Sequence, residues 1–388
     1  MVERTALLGR YTAEKRLSAP TSPTARNVSA EPTIIDATDW APSAWDELAV
    51  RSPIGEAFQS HAWGELKRGL GWRPLRYVVE AGGRRVAAFY VQERPLSRRL
   101  PGPLRGLKIH YAPRGPVLLE ATPQAAQAAL QALRTIAQAR RAVTLTVDPS
   151  WEEGGSLAGT LGPEGFRVAR REIQVSRTAM VIPLQPTDEA QHALLGDSTA
   201  RNINKARRAG VTTERVDLTD GDTREEALAE FFEMHAATGR REDFLVRDRA
   251  YELEQWRLLG GSGVASLWFA SVAGRRRNGV LLLHCGRILV SYAAGAPDDA
   301  DLHGTRANHL LQWEIMRWAA GSGFTGYDLG GVDTQSIVGL PHDETHPLWN
   351  LYQFKRSFGA RPVLRVRAHE FAPRATLGAA WRLARRLR

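Results

Sequence analysis

Two stretches of the chain show the same succession of apolar and polar positions. In the first, apolar runs from Leu75 to Glu80 and from Arg84 to Gln92 are joined by a Gly82-Gly83 turn, which predicts a β-hairpin. An alanine-rich helix is predicted from Gln124 to Arg140, and a strand from Val143 to Val147. The order of elements is therefore hairpin, helix, strand.

The second stretch repeats that order later in the chain. Strands are predicted from Leu267 to Val272 and from Val280 to His284, with a polar turn from Gly274 to Asn278 between them. A third strand, Arg287 to Gly295, extends the hairpin, and a helix from Arg306 to Ala320 and a strand from Gly326 to Leu329 follow. One face of that helix is predicted to be apolar and consists of Leu311, Ile315, Trp318 and Ala319.

Hairpin, helix and strand in this order form the core of the acetyltransferase-like (GNAT) fold. Because the order occurs twice, the sequence predicts an α/β protein with two tandem acyl-CoA N-acyltransferase-like domains that share a cleft. The first domain is predicted at residues 31–174, completed by residues 364–388, and the second at residues 175–363. The segment from Ser18 to Glu31 carries few large apolar groups, and residues 1–30 are predicted to be a disordered tail.

A helix with a basic face is predicted between the two copies. Ser198 is its predicted N-cap and Gly210 its C-terminal glycine. Arg201, Lys205 and Arg208 lie at i, i+4 and i+7, so the three positive charges share one side. The side predicted to face the protein consists of Ile203, Ala206 and Ala209. The basic face is either a solvated surface or a contact for tRNA or phosphate.

Composition and charge restrict the class of protein. A chain of 388 residues with 43% hydrophobic residues is ordinary globular composition for two domains. A formal charge of +10 favours an anionic partner, such as RNA, a phosphorylated substrate or an acidic membrane surface. The one cysteine, Cys285, excludes an intramolecular disulfide and is expected to be a buried thiol in a strand.

No stretch of the sequence predicts a membrane span or a secretory signal, so the protein is expected to be cytoplasmic. The segment from Arg374 to Arg388 has an apolar helical face and many arginines. That pattern suits peripheral contact with an anionic inner-leaflet membrane, and it equally suits docking of the helix onto the first domain.

A lysine flanked by aromatic residues occurs about thirty residues before the C-terminus. It lies in Leu351-Tyr352-Gln353-Phe354-Lys355-Arg356-Ser357-Phe358-Gly359, and Tyr327-Asp328-Leu329-Gly330-Gly331 lies upstream. Together these segments resemble the Fem family of aminoacyltransferases (FemABX), which add amino acids to the peptide of a peptidoglycan precursor. The chain has no long paired helices like the coiled-coil arm of some members, so it resembles the compact form.

The resemblance implies residues that bind the precursor. Lys67, in Gln59 to Lys67, matches a lysine that contacts the phosphates of the nucleotide-linked or lipid-linked precursor, with Trp63 one turn before it. Arg241 matches an arginine of a phosphate clamp, and Tyr292 and Tyr111 match positions beside the precursor. The structural alternatives are a solvated lysine, a helix C-terminal counter-charge and core tyrosines. On the predicted helix, Trp63, Leu66 and Leu70 form the buried face.

In the implied reaction, an amine of the precursor's stem peptide attacks the ester carbonyl of an aminoacyl-tRNA. A fixed cation at Lys355 would stabilise the negative charge that develops on the carbonyl oxygen, and Phe354 would hold the lysine or stack on the terminal base of the tRNA. The alternative is a strand with Phe354 and Phe358 in the core and Lys355 exposed. Asp328 is a candidate for orienting the amine, with structural turn chemistry as its alternative, and no general base is assigned.

Other chemistries are disfavoured. His342 and His346 lie between Pro341 and Pro347, which predicts a loop and no metal site. The segment from Asp301 to Ala307 lacks the glycine-rich loop that cradles the pyrophosphate of CoA, so an aminoacyl donor fits better than acyl-CoA. An acyl-CoA-dependent N-acyltransferase and an aminoacyl-tRNA–protein transferase are kept as alternatives. No cofactor is expected. The expected partners are an aminoacyl-tRNA carrying Gly, Ala or Ser and lipid II or UDP-MurNAc-pentapeptide, without DNA; a non-enzymatic RNA-binding protein is the remaining alternative.

Overall fold

The computed structural model describes residues 32–96, 106–298, 302–337, 339–374 and 378, with residues 302 and 303 described by backbone alone. The predicted tail at residues 1–30 and most of the predicted C-terminal amphipathic segment lie outside these residues. Among the residues described, no helix combines the length and the apolar character that a bilayer span requires.

The elements follow one another in this order. The first part contains β1 (Thr33–Asp36), α1 (Pro42–Ala49), α2 (His61–Gly69), β2 (Arg73–Ala81), β3 (Arg84–Pro95), β4 (Lys108–Ala112), β5 (Val117–Leu118), α3 (Pro123–Ala139), β6 (Ala142–Val147) and β7 (Arg167–Val168). The second contains β8 (Thr178–Pro183), α4 (Asp188–His192), α5 (Asp197–Arg208), β9 (Thr212–Val216), α6 (Gly221–Glu242), α7 (Arg249–Gly261), β10 (Ala265–Val272), β11 (Arg275–Cys285), β12 (Ile288–Gly295), α8 (Leu302–Thr305), α9 (Ala307–Gly321), β13 (Gly326–Gly331), α10 (Trp349–Arg356), β14 (Arg361–Leu364) and β15 (His369–Phe371). Short 3₁₀ turns lie at Ala57–Gln59 and Ala158–Thr160.

The strands form two sheets. The first has the order β1-β2-β3-β4-β6-β15-β7, with β5 paired to β3, and the second has the order β14-β8-β13-β12-β11-β10-β9. Each sheet contains a hairpin and one parallel pair joined through a helix: α3 lies between β4 and β6, and α9 lies between β12 and β13. The predicted repetition of hairpin, helix and strand is therefore confirmed.

Each sheet buries a helix on one face, and a third core joins the two sheets. Alanines of α3 pack against Phe89 and Leu145 of the first sheet, and Leu311 and Ile315 of α9 pack against the second. Trp45, Trp63 and Tyr90 from the first part pack with Leu259, Leu283 and Cys285 from the second. Burial of such apolar surface contributes about 25 cal/mol per Å², so this shared core holds the two sheets together.

Some local predictions are wrong at their boundaries. The N-cap of α5 is Gly196, and Ser198 lies inside the helix, because the chain turns into the helix two residues earlier than predicted. Ala209 is exposed because it is the C-cap residue, although Gly210 follows with φ +72° as predicted. Leu70 is 50% exposed because α2 ends at Gly69. The turn between β10 and β11 is shorter than predicted, since β11 begins at Arg275 and a bulge at Ala270 and Ser271 adjusts the register.

Candidate active site

Lys355 is a buried cation at the end of a helix. It lies in the last turn of α10 with 7% of its surface exposed, and its Nζ donates a hydrogen bond to the carbonyl oxygen of Gly331 at 2.7 Å. Burial lowers the pKa of Lys355 to about 8, and the nearby carboxylate of Asp328 opposes that shift. The alternative prediction of an exposed lysine on a strand is therefore wrong. The same alternative placed Phe358 in the core, and Phe358 is fully buried.

Two glycines lie at the end of β13, beside the lysine. Gly330 has φ +81°, and a Cβ atom there would lie 3.6 Å from both Lys355 Nζ and the carbonyl oxygen of Ser291. A Cβ atom at Gly331 would overlap the hydroxyl of Ser176. A side chain is therefore disfavoured at Gly330 by its backbone conformation and at Gly331 by the Ser176 side chain.

The parallel pairing of β12 with β13 stops beside this lysine. Its last pair is Val290 with Asp328, although β12 continues to Gly295 and β13 to Gly331. The two strands therefore separate next to Gly331, where their backbone ladder ends. Lys355 lies at this separation.

Asp328 and Arg365 form a buried ion pair behind the lysine. Asp328 is 1% exposed; its Oδ1 accepts a hydrogen bond from the Gly330 amide at 2.7 Å, and its Oδ2 lies 2.5 Å from Arg365 Nη2. Both carboxylate oxygens are therefore engaged by the protein. The hydrogen bond from the Gly330 amide is the structural role in the turn that the sequence analysis gave as the alternative for Asp328. The predicted contact of Asp328 with the substrate amine stays a prediction.

Arg365 also reaches a cavity of about 380 Å³ between the two sheets. Its walls come from both parts of the chain and include Glu56, Ser150, Trp151, Cys285, Val290 and Arg365. Glu56 is 8% exposed, and its carboxylate accepts hydrogen bonds from Ser150 Oγ at 2.8 Å and from the Cys285 thiol at 3.4 Å. Burial, with the charge of Glu56, raises the pKa of Cys285, so this cysteine is a neutral, buried thiol as predicted.

Phe354 lies beside the lysine and is half-buried. Its ring contacts His309 edge-on at 5.5 Å between centroids, and Phe358 at 5.2 Å. Helix α5 begins against the same segment, because Thr199 Oγ1 donates to Ser357 Oγ at 2.7 Å and the Gly196 amide donates to the Ser357 carbonyl at 2.8 Å. The predicted basic face of α5, formed by Arg201, Lys205 and Arg208, is exposed, with Ile203 and Ala206 buried opposite to it. Contact of this face with RNA stays a prediction.

Lys67, Trp63 and Tyr292 come together in a second cluster. Lys67 Nζ lies 4.5 Å from the centre of the Trp63 ring and donates to Tyr251 Oη at 2.6 Å. Phe58 links Trp63 to Tyr292, with centroid distances of 4.6 Å and 5.9 Å.

Burial, with the positive charge of Arg247, lowers the pKa of Lys67 to about 8, and burial raises the pKa of Tyr292, whose Oη accepts from Gln255 at 2.8 Å. A half-buried amine with a lowered pKa gains from a bound anion, because the anion restores its charged form. This cluster of Lys67, Trp63, Tyr251 and Tyr292 is called the lysine–aromatic cluster below.

The other two predicted residues lie elsewhere. Arg241 is in the last turn of α6, is exposed and contacts Asp298 Oδ1 at 3.0 Å and Glu242. Tyr111 is on β4, and its Oη donates to Asp148 Oδ2 at 2.9 Å. Burial, followed by the charge of Asp148, raises the pKa of Tyr111, so its phenol is neutral. The roles of both residues in binding stay predictions.

The sequence interpretation missed Arg365, Glu56 and Tyr251. Arg365 follows β14 directly, and no motif distinguishes it from Arg361 and Arg367 on either side. Glu56 meets Cys285 across 229 positions of the chain, a contact that no local pattern reveals. Among the described residues, no group of three or more His, Cys, Asp or Glu side chains is placed to hold a metal ion, and His342 and His346 lie in a loop.

Comparison with known proteins connects this geometry to a family. Residues 197–339 match the family described as Acetyltransferase (GNAT) domain. The chain is 29% identical over 394 aligned positions to the lipid II:glycine glycyltransferase of Staphylococcus aureus (strain MRSA252), covering 81% of this chain and 87% of the relative, and the same holds for strain NCTC 8325. The crystal structure of FemX superposes with a TM-score of 0.73 at 19% identity over 91% of this chain and 99% of FemX.

The chain is similar in sequence to lipid II:glycine glycyltransferases and in fold to FemX. The predicted relationship to FemABX proteins and the predicted tandem acetyltransferase-like fold are confirmed, and so is the prediction of an aminoacyltransferase at the level of enzyme class. A conserved protein of unknown function from Bacteroides thetaiotaomicron shares the fold with a TM-score of 0.51 at 11% identity over 85% of this chain and 95% of that structure. The predicted domain boundaries and the roles of individual residues stay predictions.

Proposed function

We propose that this protein transfers glycine, alanine or serine from an aminoacyl-tRNA to the stem-peptide amine of a peptidoglycan precursor, either lipid II or UDP-MurNAc-pentapeptide. The observation that carries the proposal is the buried ammonium of Lys355 at the separation of β12 and β13. The relatives' name, lipid II:glycine glycyltransferase, supports lipid II as acceptor and glycine as the first amino acid to test.

In the proposed reaction, the neutral amine of the stem peptide attacks the carbonyl carbon of the aminoacyl ester. A carbon–nitrogen bond forms, the carbon–oxygen bond to the ribose breaks, and the proton lost by the amine is balanced by the proton that the ribose oxygen gains. Negative charge develops on the carbonyl oxygen during attack. The Lys355 ammonium is fixed by Gly331 in a buried environment, where such a charge is stabilised by about 3 to 4 kcal/mol.

Asp328 acts on Lys355 through its negative charge rather than by taking the proton. The Asp328 carboxylate is shared between the Gly330 amide and the Arg365 guanidinium, so it is a poor general base. Its negative charge limits the fall in the pKa of Lys355 that burial causes. The lysine therefore stays mostly protonated at neutral pH, which is the form that stabilises an oxyanion.

The lysine–aromatic cluster is the proposed site for the acceptor's phosphates. Lys67 supplies the positive charge, the rings of Trp63 and Tyr251 hold the ammonium in one position, and Phe58 connects Trp63 to Tyr292. Tyr292 and Ser291 are neighbours on β12, and the Ser291 carbonyl lies at the separation beside Gly330. An acceptor held by the cluster would therefore extend along β12 towards Lys355.

The test is a transfer assay with purified protein. tRNA charged with radiolabelled glycine, alanine or serine is mixed with lipid II or with UDP-MurNAc-pentapeptide, and label is followed into the muropeptide. Transfer from at least one charged tRNA is expected, and none is expected when acetyl-CoA replaces it. If acetyl-CoA supports acylation of an amine and no aminoacyl-tRNA does, the acyl-CoA-dependent alternative is correct. Retained RNA binding without transfer from either donor would indicate the non-enzymatic alternative.

A further inference from the structure

A basic pocket of about 870 Å³ lies on the other side of β13 from the lysine–aromatic cluster. It is formed by the segment that precedes β8, by β14 and by the segment that follows β13. In the second sheet, β13 has β12 on one side and β8, then β14, on the other. The strand that binds Lys355 therefore has a candidate anion site on each side.

Four arginines line the pocket against two acidic residues, Glu172 and Asp333. Asp333 is buried, and its oxygens accept hydrogen bonds from the Arg177 and Thr178 amides at 3.1 and 3.0 Å and from the Thr178 hydroxyl at 2.9 Å. Its charge is therefore satisfied by β8 and the residue before it. The lining keeps an excess of positive charge.

The four arginines differ in their partners. Arg367 pairs with Glu172 at 2.7 Å, and Arg177 binds Glu153 and the Arg365 carbonyl. Arg170 and Arg171 are exposed, and within the described part of the chain neither forms an ion pair. Burial and the charge of Arg367 lower the pKa of Arg177, which shows that the cations are crowded. A bound anion would relieve this repulsion.

The pocket also presents apolar side chains to solvent. Val175 is 72% exposed, Leu340 43% and Leu364 42%. Arginines interleaved with exposed apolar groups suit single-stranded RNA, because guanidinium groups bind phosphates and stack on bases while apolar groups contact base faces. A volume of about 870 Å³ is also within the range of sites that enclose a small ligand or the end of a chain.

One wall of the pocket lies next to Gly331, the residue that accepts the hydrogen bond from Lys355, because the carbonyl oxygen of Thr178 in that wall would lie 3.6 Å from a Cβ atom at Gly331. Asp333, in its wall, is two residues after Gly331, and two residues of extended chain span at most about 7 Å. We propose that this pocket binds the single-stranded 3′ end of the donor tRNA and delivers its aminoacyl ester to Lys355, with the acceptor arriving from the β12 side. This inference rests on the proposed aminoacyl transfer.

The test compares two double variants that each lose two positive charges. Arg170→Ala/Arg171→Ala removes the unpaired arginines of the pocket. Arg73→Ala/Arg275→Ala is the matched control, because both arginines are exposed and distant in sequence from the pocket. Binding of an uncharged acceptor-stem hairpin RNA with a single-stranded CCA end is measured by fluorescence anisotropy at several salt concentrations.

The pocket variant is expected to bind the hairpin about tenfold more weakly, with the slope of log K against log salt reduced by about 1.4, which corresponds to two lost single-strand phosphate contacts. The control is expected to lose less than threefold. Equal affinities for the pocket variant and the wild type, or equal losses in both variants, would overturn the inference.

Transfer kinetics separate this inference from the proposed function. The pocket variant is expected to raise the KM for aminoacyl-tRNA and to leave the KM for the acceptor unchanged. A raised acceptor KM with unchanged RNA binding would assign the pocket to the phosphates of the acceptor and overturn the inference. Loss of RNA binding in the pocket variant, together with no transfer by the wild type, would leave the pocket assignment standing and remove the proposed function.

Discussion

Substitution of Lys355 by methionine isolates the charge of this residue from its volume. Methionine fills a similar space, so the packing around α10 is kept while the ammonium on the Gly331 carbonyl is lost. Removal of one preorganised oxyanion donor costs about 2.7 to 4 kcal/mol, which is a fall in kcat of about 100-fold to 1,000-fold. Single-turnover transfer from charged tRNA to the acceptor measures this fall directly.

The same variant makes a prediction about stability. In the unfolded chain Lys355 has its ordinary pKa of 10.5, and in the folded protein its pKa is about 8. Between these two pH values the unfolded state binds more protons, so the free energy of unfolding of the wild type is expected to rise with pH, by up to about 3 kcal/mol. Below pH 8 this contribution is absent. The part of the rise that belongs to Lys355 is expected to be lost in Lys355→Met, while the part that belongs to Lys67, whose pKa is also lowered to about 8, remains. Urea unfolding of both proteins at pH 7 and pH 10 measures the difference.

Arg356→Met is the matched control. Arg356 is the next residue of α10, is exposed and carries the same charge, so its loss is expected to change kcat less than threefold. Lys355→Met turnover within threefold of the wild type, with its fold intact, would refute the role assigned to the ammonium. A raised KM with unchanged kcat would refute it equally, because the lysine would then contribute only to ground-state binding.

Three further results are expected. The kcat should decline as pH rises through about 8, where Lys355 loses its proton, and Lys355→Arg should move the decline to higher pH. If kcat declines at the same pH in the wild type and in Lys355→Arg, the decline belongs to another group. Lys67→Met should raise the KM for the acceptor about tenfold or more, because a charged hydrogen bond to the phosphates is lost. Arg68 is exposed on the same helix, and Arg68→Met should leave this KM unchanged. Equal effects of the two substitutions would exclude a specific phosphate contact by Lys67. Arg365→Met should lower the free energy of unfolding by about 3 to 5 kcal/mol, because it leaves the Asp328 carboxylate buried without its partner. Adding Asp328→Asn to the same chain should restore part of that free energy. If urea unfolding shows that the losses of the two variants add, the two residues are not coupled.

The strands and long helices were predictable because their patterns are local. The hairpin from Arg73 to Pro95 and the helix from Pro123 to Ala139 are each specified by alternation, by a helical period and by Gly82 and Gly83 in the turn. Helix ends were less predictable, since Gly196 caps α5 without a side-chain hydrogen bond and carries no capping signal. The helix that carries Lys355 was left undecided, because its aromatic residues fit the period of a strand as well.

The candidate site was predictable only where a family motif marked it. Lys67, Trp63 and Tyr292 were singled out, and the structure joins them through Phe58. The groups that hold Lys355 were not singled out, because they depend on contacts between distant parts of the chain. Asp328 meets Arg365 across 37 positions, and the cavity beside them takes its walls from both sheets.

The position of β15 has a consequence for synthesis of the chain. This strand lies between β6 and β7 in the first sheet, yet it is encoded after every strand of the second. While the ribosome is still producing β8 to β14, β7 has no neighbouring strand to pair with, and Leu145 and Thr146 lack the partners that Phe371 and Glu370 later provide. The first sheet therefore cannot be completed as a separate early unit, and it reaches its final state only when the last strand has left the ribosome.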